Sequence, residues 1–255
     1  VTQRDPGEAL AHARSFVALF GEERARRRLD VALGLAARAE LGDVGWRPTE
    51  GVAGALAALS SLDAARALAG GRELQAVLAW LEGAQASDGS WSARPQAPEP
   101  ERLVATGLLA GFLAKTSVAR PGCIERAGAF LAARWGPERV QGGDFGAIAA
   151  YAHWFANAPH ELSDAGLQWC GRELERGFRS GRLLGWQVAR VLVLCDARAL
   201  PGARLGAEAV VASLLAEQAP DGGWLGAGVE ERVRVAVSVD AAIGVARLGG
   251  AGTRG

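Results

Sequence analysis

Gln85-Ala86-Ser87-Asp88-Gly89-Ser90-Trp91 and Gln218-Ala219-Pro220-Asp221-Gly222-Gly223-Trp224 are two copies of one phrase, Q-x-x-D-G-x-W, and each closes an Ala/Leu-rich stretch. The phrase has a physical reading: Gln ends a helix, Asp-Gly makes the turn, and Trp packs the following segment against its neighbour. A helix-end device used twice in 255 residues points to internal repetition. Asp88 and Asp221 are then turn residues rather than catalytic acids.

Outward from the phrases, apolar residues recur at three- and four-residue intervals, as in Leu29, Leu33, Ala36 and Ala37 or Leu74, Val77, Leu78 and Leu81. The spacing predicts eleven helices, near 8–20, 22–40, 50–62, 72–86, 100–116, 122–135, 145–157, 161–178, 183–196, 203–218 and 233–247, with no strand run between them. Ala, Leu, Arg and Glu dominate while Tyr, Ile and Thr are scarce, which favours helix throughout. Two kinds of helix alternate. One carries charge along a face, as in Glu22 to Arg38 or Arg172 to Arg176, and suits an outer, solvated position. The other is apolar nearly all round, as in Gly51–Leu59, Leu103–Ala114, Phe145–Ala156, Leu183–Leu194 and Val233–Val245, and is expected to be buried on both sides.

Trp46, Trp91, Phe145, Trp186 and Trp224 follow one another at 45, 54, 41 and 38 residues. A period of about 40–50 residues fits a repeated helix pair. The first copy, Glu40-Leu41-Gly42-Asp43-Val44-Gly45-Trp46, keeps Asp and Trp but lacks Gln. An open array would present a polar concave face, so inner helices wrapped in apolar residues favour closure. The expectation is an all-α chain, residues 1–255 forming one α/α barrel (α/α toroid) of about 11–12 helices, inner apolar and outer amphipathic in alternation.

Composition bounds the rest. Twenty-eight basic and twenty-eight acidic side chains cancel, leaving no global field to recruit nucleic acid. Cys123, Cys170 and Cys195 are odd in number and widely spaced, which favours reduced thiols and a cytoplasmic location over a disulfide framework or zinc ribbon. Val1 to Gly7 is polar and no stretch gives a membrane span, so neither a signal peptide nor a transmembrane helix is legible. The absence of Met implies that the initiator lies outside this chain.

The two phrases, each followed by a loop and an apolar helix, resemble the QW repeat of squalene-hopene and oxidosqualene cyclases. The wider superfamily includes class II diterpene cyclases and protein prenyltransferase β subunits. The resemblance implies an α/α-toroid whose inner helices surround a cavity for an isoprenoid chain. At 255 residues the chain matches one toroidal domain of that superfamily. The cyclases carry a D-x-D-D box whose aspartate protonates an alkene or epoxide, and the nearest counterpart here is Ser238-Val239-Asp240-Ala241. Asp240 survives from that box, and Ala241 offers no partner to hold a proton. The prenyltransferase zinc pattern, an Asp-x-Cys pair followed by a His, is not matched, because Cys195-Asp196 has the wrong order and His12, His153 and His160 all precede it. The D-D-x-x-D magnesium-diphosphate motif of class I terpene synthases is absent too. No metal and no cofactor are expected.

A polar side chain on an apolar helix must be paired or face a cavity. Thr106, Lys115, Asp144, Tyr151, His153, Gln187, Arg190, Arg234, Ser238 and Asp240 are the candidates. Asp144 reads as a helix N-cap, and Asp240 and Arg190 could pair with each other. The expected site has Asp240, from the resemblance, and His153, from its place on an apolar helix, as catalytic groups. Tyr151, Trp154, Phe155, Trp186, Gln187, Arg190 and Ser238 would line the substrate cavity, the aromatic faces stabilising carbocations. The reading is an isoprenoid (terpene) cyclase-like isomerase of natural-product biosynthesis, acting on a hydrophobic small molecule, with peripheral membrane contact open to it. The alternatives are a non-catalytic toroid that binds a lipid or other hydrophobic metabolite or serves as a partner subunit, and a cyclase or isomerase for a non-terpenoid substrate.

Overall fold

A computed structural model describes residues 5–36, 46–68, 71–226 and 228–250. Among them lie eleven α-helices: α1 (Pro6–Phe20), α2 (Glu23–Ala32), α3 (Gly51–Ala64), α4 (Arg72–Ala84), α5 (Glu99–Ala114), α6 (Pro121–Ala132), α7 (Phe145–Asn157), α8 (Ser163–Arg179), α9 (Gly185–Leu194), α10 (Ala207–Glu217) and α11 (Glu231–Gly249). Short 3-10 turns at Pro48–Glu50 and Pro137–Arg139 complete the described helical content, and no strand occurs among the described residues. No described helix is long and apolar enough to cross a membrane.

Each phrase does what its residues suggest. Gln85 and Gln218 are the C-caps of α4 and α10. The Ala86 and Ala219 amides bond the carbonyls of Ser90 and Gly223, closing tight loops around the Asp-Gly turn. Asp88 accepts from the Ser90 amide and Asp221 from the Gly223 amide, at 3.1 and 3.0 Å. The buried indoles reach back ten residues: Trp91 Nε1 donates to Leu81 O at 2.8 Å and Trp224 Nε1 to Leu214 O at 3.0 Å. The correspondence continues past the phrase. Arg102 pairs with Asp88 and Arg234 with Asp221, while the amides of Trp91 and Trp224 donate to Thr106 and Ser238 hydroxyls at 3.0 and 2.9 Å.

Each phrase also fastens a further helix. Gln85 Nε2 donates to Cys123 O in α6, and Gln218 Nε2 donates to Ala9 O in α1. Gly89 (φ +85°) lies against the Arg126 carbonyl of α6, and Gly222 (φ +90°) against the His12 carbonyl of α1. A Cβ at either glycine would fall within 2.4 Å of those oxygens, and the left-handed φ is itself costly for other residues. The second copy therefore treats α1 as the first copy treats α6.

The apolar helices pack in series, α3 on α5, α5 on α7, α7 on α9 and α9 on α11. The α5–α7 approach is tight because Gly107 and Gly111, one turn apart on α5, face Ala150 and His153 of α7. One hydrophobic cluster draws on side chains from α1 to α11. The last helix, α11, also packs on α1 and α2, and α2 packs on α3.

The segment expected to be helical over 22–40 ends its helix at Ala32. Gly34 takes φ +73°, its amide bonds Val31 O, and the Leu35 amide bonds Asp30 O. These are the paired bonds of a Schellman stop, which glycine accepts without a Cβ clash. Helix α2, expected to carry its charge along a solvated face, buries Leu29 and Val31 on its apolar side and also sends Arg28 inward between α3 and α11. Most of the degenerate first copy, residues 40–45, lies outside the described residues. Its Trp46 packs edge-on against Trp80 of α4 at 5.2 Å, and its buried Nε1 has no partner among the described residues. Ten residues before Trp46 stands Ala36, which lies beyond the end of α2, whereas Leu81 and Leu214 lie within α4 and α10.

Candidate functional site

A cavity of about 690 Å³ opens between α2, α3, α5, α9 and α11. Phe20, Leu56, Leu108, Phe112, Leu194, Val235 and Val239 give it mainly apolar walls. Its volume falls within the roughly 300–1,000 Å³ usual for small-molecule sites. The repeat explains part of the lining. With Thr106 matched to Ser238, Leu108 of α5 takes the place of Asp240 of α11, and both line the cavity.

Asp240 is buried between two guanidiniums. Arg28 Nη2 donates to Oδ1 at 2.6 Å and Arg190 Nη1 to Oδ2 at 2.8 Å. Arg28 Nη2 also donates to Ser60 Oγ at 3.0 Å, so the cluster ties α11 to α2, α3 and α9. Burial pushes the Asp240 carboxyl up, but attraction to Arg190 and Arg28 and their hydrogen bonds outweigh it, leaving the carboxyl below its ordinary range. The resemblance implied a proton donor at Asp240, the residues alone a buried ion pair; Arg28 and Arg190 favour its carboxylate form. The anticipated Asp240–Arg190 pair forms, and Arg28 joins it.

A second, polar cavity of about 600 Å³ lies at the C-terminal ends of α3, α5, α9 and α11. Lys115 pairs there with Asp63 at 3.0 Å and Asp196 at 2.7 Å, and Arg247 Nη2 donates to the Asp63 carbonyl at 3.0 Å. Burial raises the Asp63 carboxyl against the pull of Lys115. These bonds join the ends of the four helices, a sufficient structural reason for their burial.

The other residues expected at the site lie elsewhere. His153 is fully buried, with Nδ1 2.9 Å from the Leu194 carbonyl and 3.1 Å from Asn157 Nδ2. Its Nε2 is buried without a partner, edge-on to Phe112 at 4.6 Å between ring centroids. Burial, reinforced by Lys115, pushes its pKa down to about 3 and keeps the ring neutral. Phe112 and Leu194 line the main cavity, so His153 stands one layer behind its wall.

Tyr151, Trp154 and Phe155 form an aromatic cluster with Trp135 and His160, and Tyr151 Oη donates to the Leu131 carbonyl. None of the main cavity's lining residues comes from α7. Trp186 packs edge-on against Phe145 at 5.6 Å, Gln187 Oε1 accepts from the Leu184 amide at the start of α9, and Ser238 is engaged by Trp224. Of the nine candidates, Asp240 and Arg190 line the cavity together. Asp144 caps α7, accepting from the Ala147 amide at 3.1 Å.

Arg28, Phe20 and Phe112 are among the lining residues that sequence reasoning missed. Arg28 sits in a run of charge that reads as solvated, with no local mark of a partner 212 residues away. Among the described residues no group of three or more His, Cys, Asp or Glu side chains is placed to hold a metal ion.

No family model, no curated protein and no solved structure matches this chain. What the site can do therefore rests on its own geometry: mainly apolar walls, and a charged floor that an apolar wall alone would not require.

Proposed function

We propose that the chain is one α/α-barrel domain whose main cavity binds an elongated apolar small molecule. Closure of the barrel is supported by the contacts of α11, which lead back through α2 to α3, and by the second phrase, which fastens α1 as the first fastens α6. The observation that carries the functional reading is the apolar-walled cavity of about 690 Å³. A linear isoprenoid belongs to the class of ligand that such walls suit. Proton-initiated cyclisation by Asp240 would require that carboxyl to hold a proton, which Arg28 and Arg190 oppose. Binding has no such requirement, so the reading adopted is a hydrophobic-metabolite binder.

The test is titration with N-phenyl-1-naphthylamine, a neutral dye that fluoresces in apolar surroundings, and displacement by farnesol. Ala236 lines the cavity and is exposed, so Ala236→Trp adds bulk there without entering the core. Saturable dye binding, displaced by farnesol and weakened at least about tenfold in the variant, is expected for a pocket that loses its space. Absence of saturable binding, or an unaltered affinity in a variant that melts like the wild type, would refute the reading.

A further inference from the structure

We infer that the cavity's ligand is an amphiphile with a single anionic head, carboxylate or phosphate monoester, seated on Arg190 at the cavity floor. The inference rests on the binding reading above and adds the chemistry of the ligand's polar end. At the floor, two guanidiniums face the one carboxylate of Asp240, so that cluster by itself carries one positive charge in excess. Around it Arg24 and Arg232 line the cavity with Glu22 and Glu231, and those two arginines are themselves paired with Glu50 and Glu230. Ser60 and Ser61 contribute no charge.

The two floor arginines differ in what they have left to give. Arg28 uses Nη2 for both Ser60 and Asp240, its Nε is buried without an acceptor among the described residues, and Nη1 alone is left to it. Arg190 commits Nη1 to Asp240 and makes no other hydrogen bond among the described residues. Its side chain is 36% exposed and lines the cavity, leaving Nη2 and Nε available. Asp240 fixes the guanidinium from one edge, and a planar fork held on one edge can receive a second anion on another. An uncharged tail would leave those donors to water. An anionic head engages them while its tail covers Leu56, Leu108, Phe112 and Val239.

The experiment compares chain-matched ligands, dodecanoate, dodecyl phosphate and dodecanol, displacing N-phenyl-1-naphthylamine at neutral pH below micelle formation, on the wild type and Arg190→Gln. Charge-assisted hydrogen bonds to a guanidinium predict that dodecanoate binds the wild type about ten- to a hundredfold more tightly than dodecanol. Arg190→Gln should remove most of that preference and leave dodecanol unchanged. The phosphate arm distinguishes the head: tighter binding than dodecanoate assigns a phosphate monoester, and weaker binding assigns a carboxylate. Equal affinity of acid and alcohol, or an undiminished preference in Arg190→Gln, overturns the anionic head while leaving the apolar cavity standing. Failure of dye, acid and alcohol alike to bind overturns both. Since Arg190 is partly exposed, the variant is expected to fold; should it not, Arg190→Lys supplies the reading, retaining the charge but losing the planar fork and hence part of the preference.

Discussion

Replacing Asp240 by Asn separates the electrostatic role described above from that of a proton donor. The substitution keeps the shape and removes the charge, leaving Arg28 and Arg190 facing each other across a neutral amide. Removing one partner of a fully buried pair costs about 3–5 kcal/mol. Here the arginines keep 21% and 36% of their side-chain exposure and can recover some solvation, so about 2–3 kcal/mol is the reasonable loss. For a chain of this size that lowers Tm by about 4–12 °C. The measurement is thermal unfolding by circular dichroism between pH 7 and pH 3. A carboxyl whose folded pKa is depressed contributes stability above its unfolded value, about 3.9, and loses it as the pH falls through the folded value. The gap between wild type and Asp240→Asn should therefore be widest at neutral pH and narrow below about pH 3.9. The variant's floor carries two uncompensated guanidiniums, so the folded variant should hold dodecanoate at least as tightly as the wild type. An unchanged Tm at pH 7, a gap that widens on acidification, or loss of dodecanoate binding would refute the account of Asp240 as an ionised anchor.

Two further outcomes probe the scaffold. Gly111→Ala places a Cβ 2.2 Å from the His153 ring and should destabilise by about 1–3 kcal/mol, whereas Gly83→Ala, in open space on α4, should stabilise by about 0.4–1 kcal/mol; chemical denaturation of both reads the contrast. Gln218→Ala deprives the Ala9 and Gly222 carbonyls of a donor, so hydrogen exchange should accelerate in α1 while α6 stays protected, and Gln85→Ala should show the reverse.

The helices were legible because some keep a 3.6-residue apolar rhythm and the others are long apolar runs of helix-favouring residues, and Gln, Asp-Gly and Trp mark two of their ends with groups of fixed chemistry. Helix α2 was overextended because its rhythm continues through Leu33, Ala36 and Ala37, while a single glycine supplies the backbone geometry that stops it. The site was harder for a different reason. A helix that is apolar all round carries no polar stripe to say which side meets a cavity, so Tyr151, Trp154 and Phe155 could be placed inside a barrel but not on one side of α7; they pack towards Trp135 and His160. Ser238 was within reach. Arg102-Leu103-Val104-Ala105-Thr106 and Arg234-Val235-Ala236-Val237-Ser238 share the pattern R-x-x-x-[ST] at similar distances beyond the two Trp residues. Extending the repeat comparison past Trp would have assigned Ser238 to the Trp224 amide and Arg234 to Asp221. The same alignment sets Leu108 against Asp240, so the acid stands where the other copy holds an apolar wall residue. Symmetry in the scaffold thus makes Asp240 conspicuous: the repeat accounts for a side chain facing the cavity at that register, and Arg28 and Arg190 account for its being charged.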